Sequence, residues 1–514
     1  MPKNEGDTMT LATRTQPIGA LGLGLIAALS ATPHTGEAVQ LEVTPDFVID
    51  LTGYARGWFA MNLKDHPELG ANGRPIDDKG ELSMARFSTL LQLQTQLGST
   101  NWVAIGRFSR EYETGYLSNL EDASNSKGLP LNLTDRYNED ELREFYMDAS
   151  LSERLNLRLG KQQVVWGETD FFQAMDVIHG YDNSIVQFQA ENEEWRKPSW
   201  LINVEYAVYE LNGSLQLLVR PGIDGGSNMG NTFDLFGGRW AGQPNKGTNT
   251  LALFPYNYHH DKGDEDDPSY GARWVGTAGS TSYTFNYYHT LQQEPILNFV
   301  ANPFGDSPKN GLGEFIFPEV DIIGATASAP VFQGVWRAEA AYTPNKPYNF
   351  GLLGTQLAGA GGVKEKDTLR LMVGYDQALR SIGPRASSPP QLSLQLFDTW
   401  IVNYQRDDQI ADFTARKKEH SVIGTALLTT NFRHDTISPS LVLIHDISYG
   451  GGLVIPGIEY KPGNHWRLKA EAYLFYKSKD TCSTTPFGKG LGCTHTFGTF
   501  DNNNQLVARI TYQF

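Results

Sequence analysis

The residues best suited to chemistry in this chain are the histidines and carboxylates near position 260. His259, His260 and Asp261 stand directly before an acidic run at residues 264–267. Hard cations favour several carboxylate ligands, so this stretch could hold a metal ion. A solvated loop tip with repelling charges explains the same residues and is the preferred interpretation. We therefore assign no metal ligand and no cofactor.

Motifs for catalysis are missing from the sequence. It contains no nucleophile elbow, no phosphate-binding loop, no zinc-protease helix motif and no calcium-binding loop. His445-Asp446 could suggest acid–base work, but no suitably spaced serine accompanies the pair, which fits the end of a strand better. We assign no catalytic residue and expect that the protein is not an enzyme.

In several alternating segments the charged residues are instead confined to one strand face. In the last ten residues, Leu506, Ala508 and Ile510 fall on one face and Arg509 on the other. This period of two predicts a strand with one apolar face. A charge on a lipid-facing surface would cost about 2–4 kcal/mol near the bilayer midplane, so charged faces should line a lumen. The predicted lumen-lining residues are Arg56, Arg86, Arg107, Glu144, Asp148, Arg158, Arg337, Glu339, Arg467, Lys469, Glu471 and Arg509.

Two readings of these inward charges remain open. Opposite charges on neighbouring strands could simply satisfy one another, or they could form an electrostatic ladder that tunes which solutes pass.

The two ends of the chain indicate an exported membrane protein. Residues 18–31 are an apolar core too short to span a bilayer, and small residues at 36–38 suit cleavage, so we predict a signal peptide over residues 1–38 and one barrel over 39–514. The true start could be Met1 or Met9. Tyr512 and Phe514 are typical of the C-terminal strand that the barrel-assembly machinery recognises, which predicts the bacterial outer membrane, with its lipid as a partner.

Composition narrows the class further. Mean hydropathy is −0.37, and the part after residue 31 has no apolar run of 18 residues, which excludes a helical membrane protein. A β-barrel remains possible because its strands alternate between lipid and lumen. The net charge of −16 argues against nucleic-acid binding.

Connections between the alternating segments are short and long in turn. Short turns occur at residues such as 98–101, 212–213 and 329–330, whereas long connections include 168–198 and 223–268. We predict an antiparallel transmembrane β-barrel of 18 strands, with short periplasmic turns and long extracellular loops. Sixteen strands are the alternative, because the segments near 392–404 and 452–461 are weak.

The third long loop, residues 168–198, is too apolar for a loop in water. We expect it to fold into the lumen as a constriction; the alternative is a loop that caps the outside. Its candidate residues are Phe171, Phe172, Met175, Asp176, Ile178, His179 and Phe188. Cys482 and Cys493 lie close together in an exported chain, which predicts a loop-closing disulfide.

The stretch from Leu142 to Tyr206 resembles a proteobacterial outer-membrane family of unknown function, DUF1302. The family feature is a strand ending in G-K-Q-x-x-x-W-G, present here as Gly160-Lys161-Gln162 and Trp166-Gly167, followed by Asp176-Val177. The chain departs from the family at Ile178-His179-Gly180, where Asn-Pro is usual, so the resemblance does not predict the conformation of this turn.

This resemblance implies transport of lipid-like molecules. Such proteins are often encoded beside RND-type transporters and periplasmic lipid-binding proteins, which would be partners here. We expect an outer-membrane channel for hydrophobic or amphipathic small molecules. A general hydrophilic porin, which would be trimeric, or a structural or adhesive barrel are the alternatives. The sequence does not give the cargo, its direction, or the number of subunits.

Overall fold

The computed structural model describes most of the chain beyond the predicted signal peptide. The described residues are 39–44, 47–69, 75–76, 78–124, 132–184, 194–224, 229–235, 237–240, 249–299, 307–309, 311–351, 361–379, 386–411, 416–478, 484–485, 488–489 and 496–514. The predicted signal peptide at residues 1–38 and the predicted Cys482–Cys493 disulfide lie outside them, and both stay predictions.

Eighteen antiparallel strands form one closed barrel. In chain order they are β1 (Phe47–Asn62), β2 (Leu82–Leu97), β3 (Thr100–Glu111), β4 (Glu139–Ser150), β5 (Leu155–Gln162), β6 (Ser199–Val208), β7 (Gly213–Arg220), β8 (Ser269–Ala278), β9 (Thr281–Leu291), β10 (Glu319–Val331), β11 (Gly334–Phe350), β12 (Gly362–Ala378), β13 (Ser388–Ile401), β14 (His420–Asn431), β15 (Ile437–Asp446), β16 (Gly451–Tyr460), β17 (Trp466–Tyr476) and β18 (Gln505–Gln513).

Closure is made by the first and last strands. β1 pairs with β18 from Tyr54 opposite Gln513 to Asn62 opposite Gln505, and every other barrel strand pairs with its neighbours in sequence. The predicted 18-stranded barrel is therefore confirmed, and the two weak segments are the strands β13 and β16. Among the described residues, no helix has the length and apolar character needed to cross a membrane.

The alternation in β18 shows why these segments form barrel strands. Leu506 and Ile510 are exposed on the outer surface, whereas Val507 and Arg509 are buried toward the interior. Outward apolar side chains suit lipid, and the inward face can carry charge because it does not meet hydrocarbon. The period of two thus fixes which face each residue takes.

One predicted turn lies a few residues away, and one connection is an exception to the alternation of short and long. The turn expected at residues 329–330 is wrong by a few positions: β10 continues to Val331, and the turn falls at Phe332, which has φ +53° and is 99% exposed. The link between β15 and β16 is short, although it lies on the side of the barrel where the other connections are long. Asp446 closes it by accepting from the Tyr449 backbone N–H, and Gly450 supplies the left-handed φ of +78° that the turn needs.

A nineteenth strand extends the sheet at the rim where the chain ends. Val39–Thr44 pairs antiparallel with the first residues of β1, next to Phe514, whose carbonyl accepts from the Gly53 backbone N–H.

The long loops contain the remaining short elements. Helices span Gly115–Ser124 (α1), Leu133–Arg136 (α2) and Thr496–Thr499 (α3), and 3₁₀ turns span Tyr209–Leu211, Thr250–Ala252 and Arg406–Asp408. Two-residue to four-residue strands pair as His66–Leu69 with Pro75–Ile76, His259–His260 with Gly263–Asp264, Ile296–Phe299 with Gly313–Ile316, and Thr484–Thr485 with Gly488–Lys489.

Candidate functional site in the barrel interior

The loop between β5 and β6, residues 163–198, begins with a buried turn. The Trp166 indole N–H donates to Gln216 Oε1 at 2.9 Å, and the Val164 backbone N–H donates to His179 Nε2 at 2.8 Å. Burial, together with the nearby Arg196 charge, lowers the pKa of His179 to about 3. The imidazole is therefore neutral and acts as a hydrogen-bond acceptor that shapes the loop.

One side of this loop is bound by β11. Glu339 accepts hydrogen bonds from the backbone N–H groups of Met175, at 2.9 Å, and Glu168. Asp170 forms an ion pair with Arg337 at 3.4 Å and accepts from the Ser393 hydroxyl of β13 at 2.7 Å. These contacts fix the first half of the loop against the β11–β13 wall.

Apolar contacts reinforce that side. The Phe172 ring packs edge-on against Phe397 of β13, with 5.4 Å between centroids, and against Phe497 of α3 at 6.3 Å. Met175 is fully buried over Gly324 of β10, where an added Cβ would lie 2.3 Å from the Met175 sulfur. Glycine at this position makes room for the loop.

The other side of the loop is held by arginines. Glu194 accepts from Arg56 of β1 at 2.5 Å, and its backbone carbonyl accepts from Arg107 of β3 at 2.9 Å and Arg143 of β4 at 3.2 Å. Because β11 is eight strands from both β1 and β3 in an 18-stranded barrel, the strands that bind the loop lie on opposite walls.

An internal ion pair ties the two halves of the loop together. Asp176 pairs with Arg196 at 2.7 Å and accepts from the Tyr181 hydroxyl at 2.6 Å, and all three side chains are buried. Ile178 packs with Trp166 in an apolar cluster on the β7–β10 side.

Other predicted residues of the loop are partly placed. Phe171 packs at the edge of a second cluster that includes Phe475 and Phe497. Phe188 lies outside the described residues.

The predicted lumen charges form short-range pairs. Arg107 binds Glu139 and Glu141, Arg158 binds Asp148, Arg467 approaches Glu459, and Glu471 binds both Lys469 and Arg509. Arg86 donates to the Tyr137 carbonyl, and Glu144 accepts from the Gln163 side chain. These pairings account for the charges structurally.

The fourth long loop, between β7 and β8, also packs against residues of the barrel interior. The sequence did not predict these contacts. Arg239 is 0% exposed and makes a two-point ion pair with Glu111 at the end of β3. The Tyr137 hydroxyl donates to Asp234 at 2.5 Å, and burial raises the pKa of both groups. Trp240 packs on Tyr473 and Phe475. The aromatic run around Trp240 was the available signal.

A cavity of about 590 Å³ lies between the arginine-bearing wall and these two loops. Its lining is charged and aromatic at once. The positively charged lining residues are Arg86, Arg107, Arg136, Arg143, Lys161, Arg196 and Lys197. The carboxylates are Glu139, Asp140, Glu141, Asp182 and Glu194, and the aromatic rings include Tyr54, Trp58, Trp195, Trp200, Phe233, Tyr256 and Tyr258. Such a lining suits a ligand with both a charged and an apolar part.

The histidine and acidic cluster forms one end of a small hairpin. Ligand-capable atoms of His259, Asp264 and Asp266 lie within 4.8 Å of one another. His259 already pairs with Asp264 and Glu265, and its carbonyl accepts from Lys309 Nζ at 2.6 Å, which brings a positive charge next to the cluster. His260 is buried and contacts the Asn298 side chain instead. Local pairing therefore explains the cluster.

At the end of the chain, Tyr512 packs edge-on against Trp466 with 5.0 Å between ring centroids. Phe514 bonds through its backbone to Gly53 in both directions. The terminal residues thus belong to the closing seam of the barrel.

The fold and its interior define the class of protein: a closed up-and-down β-barrel whose inward side chains bind one of its own loops. The particular family follows from a family model described as "Protein of unknown function (DUF1302)", which matches residues 19–514. The chain belongs to this family, as its sequence motif indicated.

Solved structures with a similar fold are outer-membrane proteins of low identity. OmpF of Salmonella typhi, in complex with daunomycin, is 11% identical with a TM-score of 0.42, covering 93% of this chain and 100% of that one. OccAB3 of Acinetobacter baumannii is 10% identical with a TM-score of 0.42, covering 91% and 99%. No curated protein matches the chain. These likenesses carry no argument about the function of this chain.

Proposed function

We propose that the chain is an outer-membrane channel for hydrophobic or amphipathic small molecules, constricted by the loop at residues 163–198. The observation that carries the proposal is the attachment of this loop to opposite walls, at Glu339 on one side and through Arg56 and Arg107 on the other. A segment bonded to both walls crosses the lumen, so solutes must pass beside it.

The outer surface supports a place in the outer membrane. Leu506, Ile510 and Phe285 are among the exposed large apolar side chains on barrel strands, and such a surface is stable against lipid. Export by a signal peptide and insertion by the barrel-assembly machinery, through the strand ending at Phe514, would deliver the chain there.

The mixed interior supports an amphipathic cargo. Apolar side chains of the loop, such as Phe172 and Met175, pack beside the ion pairs of Asp170 and Asp176. A pore for ions or sugars needs few such apolar groups. From the family resemblance, we further propose that an RND-type transporter and a periplasmic lipid-binding protein exchange the cargo with this barrel.

The constriction is tested by single-channel conductance in planar bilayers. Replacing residues 171–188 with a short glycine–serine linker should raise conductance, because the segment that crosses the lumen is removed. A deletion of residues 484–489 in the ninth extracellular loop is the control and should leave conductance unchanged. Equal conductance in the two variants would contradict the constriction.

The same recordings separate the other two classes. Large steady currents from the unmodified protein, together with SDS-resistant trimers, would identify a general hydrophilic porin. An absence of any permeability change in cells that lack the protein, with loss of binding when residues 223–268 are altered, would identify an adhesive or structural barrel.

A further inference from the structure

Among the described residues, the pairing of β4 with β5 stops before β4 ends, which leaves a gap in the barrel wall. Their pairing ends at Phe145 opposite Lys161, although β4 continues to Glu139. The chain leaves the wall after Gln162 to enter the loop, and β6 pairs with β5 and β7 only. Among the described pairings, residues 139–144 of β4 have a neighbouring strand, β3, on one side alone.

Gly160 allows the two strands to approach just below this gap. Its φ is +131°, and an added Cβ would lie 2.1 Å from the Phe145 carbonyl oxygen. Only glycine is free of this clash and of the backbone strain. Immediately above it, Lys161 Nζ donates to the Leu142 carbonyl at 2.7 Å, so a side chain spans the place where backbone pairing has ended.

The outer face of the wall reaches this gap. Leu142 shares its face with the exposed Phe108, through the pairing of β3 with β4. Trp200 shares the face of the exposed Ile202, and Lys161 lies opposite Trp200 in register. By strand parity these three residues point outward.

The inner face reaches the same space. Leu142, Lys161 and Trp200 line the cavity of about 590 Å³ together with the inward residues Tyr54 and Arg107. Residues from both faces of the sheet therefore border this cavity, beside the part of β4 that pairs with β3 alone among the described residues.

The charged groups around this cavity have two kinds of partner. The carboxylates Glu139 and Glu141 are paired with Arg107, and Glu194 is paired with Arg56. Lys161 and Lys197 differ, since their ammonium groups donate to the backbone carbonyls of Leu142 and Gly230.

No described carboxylate lies within ion-pair distance of either lysine. A charge-assisted hydrogen bond to an anion is stronger than one to a neutral carbonyl. The two lysines can thus take up an anionic group, while Leu142 and Trp200 offer apolar contact toward the lipid.

We propose that this gap is a lateral portal for a single-chain amphiphile with a carboxylate head group. Lys161 and Lys197 hold the head group, and the apolar chain passes Leu142 and Trp200 into the bilayer. This inference rests on the proposed function, of which it names the cargo class and the exit.

Head-group recognition is tested by equilibrium binding of dodecanoate to the purified full chain in a non-ionic detergent. Dodecanol and dodecyltrimethylammonium serve as neutral and cationic probes of equal chain length. Lys161→Met should weaken dodecanoate binding about tenfold, as expected for the loss of one charge-assisted bond, and should leave dodecanol unaffected. Lys366→Met, which removes a lysine paired with Asp408 away from the cavity, is the control.

The direction of the chain is tested by photo-crosslinking. Dodecanoate with a diazirine at its terminal carbon should label peptides that contain Leu142, Trp200 and the outward Phe145. Label on Phe172 and Phe397 instead would place the chain along the lumen and would overturn the portal. Equal binding of dodecanoate and dodecanol would overturn the head-group site.

The two proposals fail separately. If the loop deletion leaves conductance unchanged while Lys161→Met still weakens dodecanoate binding, the constriction is wrong and the amphiphile site stands. If conductance rises on deletion, but Lys161→Met leaves dodecanoate binding unchanged and the photo-crosslinker does not label the Leu142 and Trp200 peptides, the portal is wrong and the channel stands.

Discussion

The two walls that hold the loop at residues 163–198 do so by different means. On the β11–β13 side, Phe172 packs on Phe397, and Glu339 accepts hydrogen bonds from two backbone N–H groups. On the β1–β5 side, arginines bind Glu194 and backbone carbonyls, and the cavity of about 590 Å³ lies beside them.

This difference suggests that one wall anchors the loop and that the other leaves space beside it. Close apolar packing fixes a segment because any displacement loses many contacts at once. The arginines of the other wall hold the loop through hydrogen bonds at the ends of long side chains, and a cavity lies beside them. The β11–β13 wall is therefore suited to holding the loop in place, and the β1–β5 wall is suited to the traffic of solutes.

The largest expected effect is on the anchor wall. The double variant Arg337→Ala, Glu339→Ala removes the partners of Asp170 and of the Met175 backbone N–H, leaving polar groups that each cost about 1–3 kcal/mol when unsatisfied. The loop should come off β11, and single-channel conductance should rise several-fold. Arg56→Ala on the opposite wall should change conductance far less, and an equal rise in both variants would remove the distinction between the walls.

Packing on the anchor wall should dominate stability. Phe172→Ala deletes a ring that contacts Phe397 and Phe497, and we expect a loss of about 3 kcal/mol in the free energy of unfolding. Tyr54→Phe on the cavity wall removes one hydroxyl that donates to Glu194, for a loss of about 1 kcal/mol. Urea titration of each variant folded into lipid vesicles measures both, and a larger loss for Tyr54→Phe would reverse the assignment.

The sequence predicted the barrel well because a transmembrane strand repeats every two residues. In β18 the alternation of Leu506 and Arg509 alone sets the inner and outer faces, and the count of 18 follows from such segments. Charges at Arg337 and Glu339 were predicted to face the lumen by the same parity, and the structure places them against the loop.

What the sequence could not give depends on contacts between distant segments. Arg239 and Glu111 are far apart in the chain, and no local pattern pairs them. Strand alternation could not predict the gap beside β4 either, because Lys161 continues the alternation of β5. The gap shows only in the strand pairing, where residues 139–144 of β4 pair with β3 alone among the described residues.

A pH dependence should be confined to the cavity wall. Burial lowers the pKa of Lys197 from an ordinary value near 10.5 to about 8. The negative charges of Asp182, Glu139 and Glu141 raise this pKa, but by less than burial lowers it. The ammonium is therefore present below about pH 8 and lost above it.

Dodecanoate binding should weaken a few-fold between pH 7 and pH 9. Lys197→Arg should remove this dependence, because an arginine stays charged throughout. A pH effect that persists in Lys197→Arg would assign the titration to another group, and binding that strengthens with pH would contradict the role of Lys197.

The smallest effect is expected at the outer lip of the gap, where Arg110 and Asp140 form an ion pair at 2.6 Å. Both side chains are more than half exposed, so solvent screens the pair, and a double-mutant cycle on unfolding should give a coupling of about 0.5 kcal/mol. The buried pair of Arg239 with Glu111, which solvent does not screen, is the reference for this measurement. A coupling well above 1 kcal/mol at Arg110–Asp140 would mean that lipid covers this lip in the membrane, which would place the portal deeper within the hydrocarbon region.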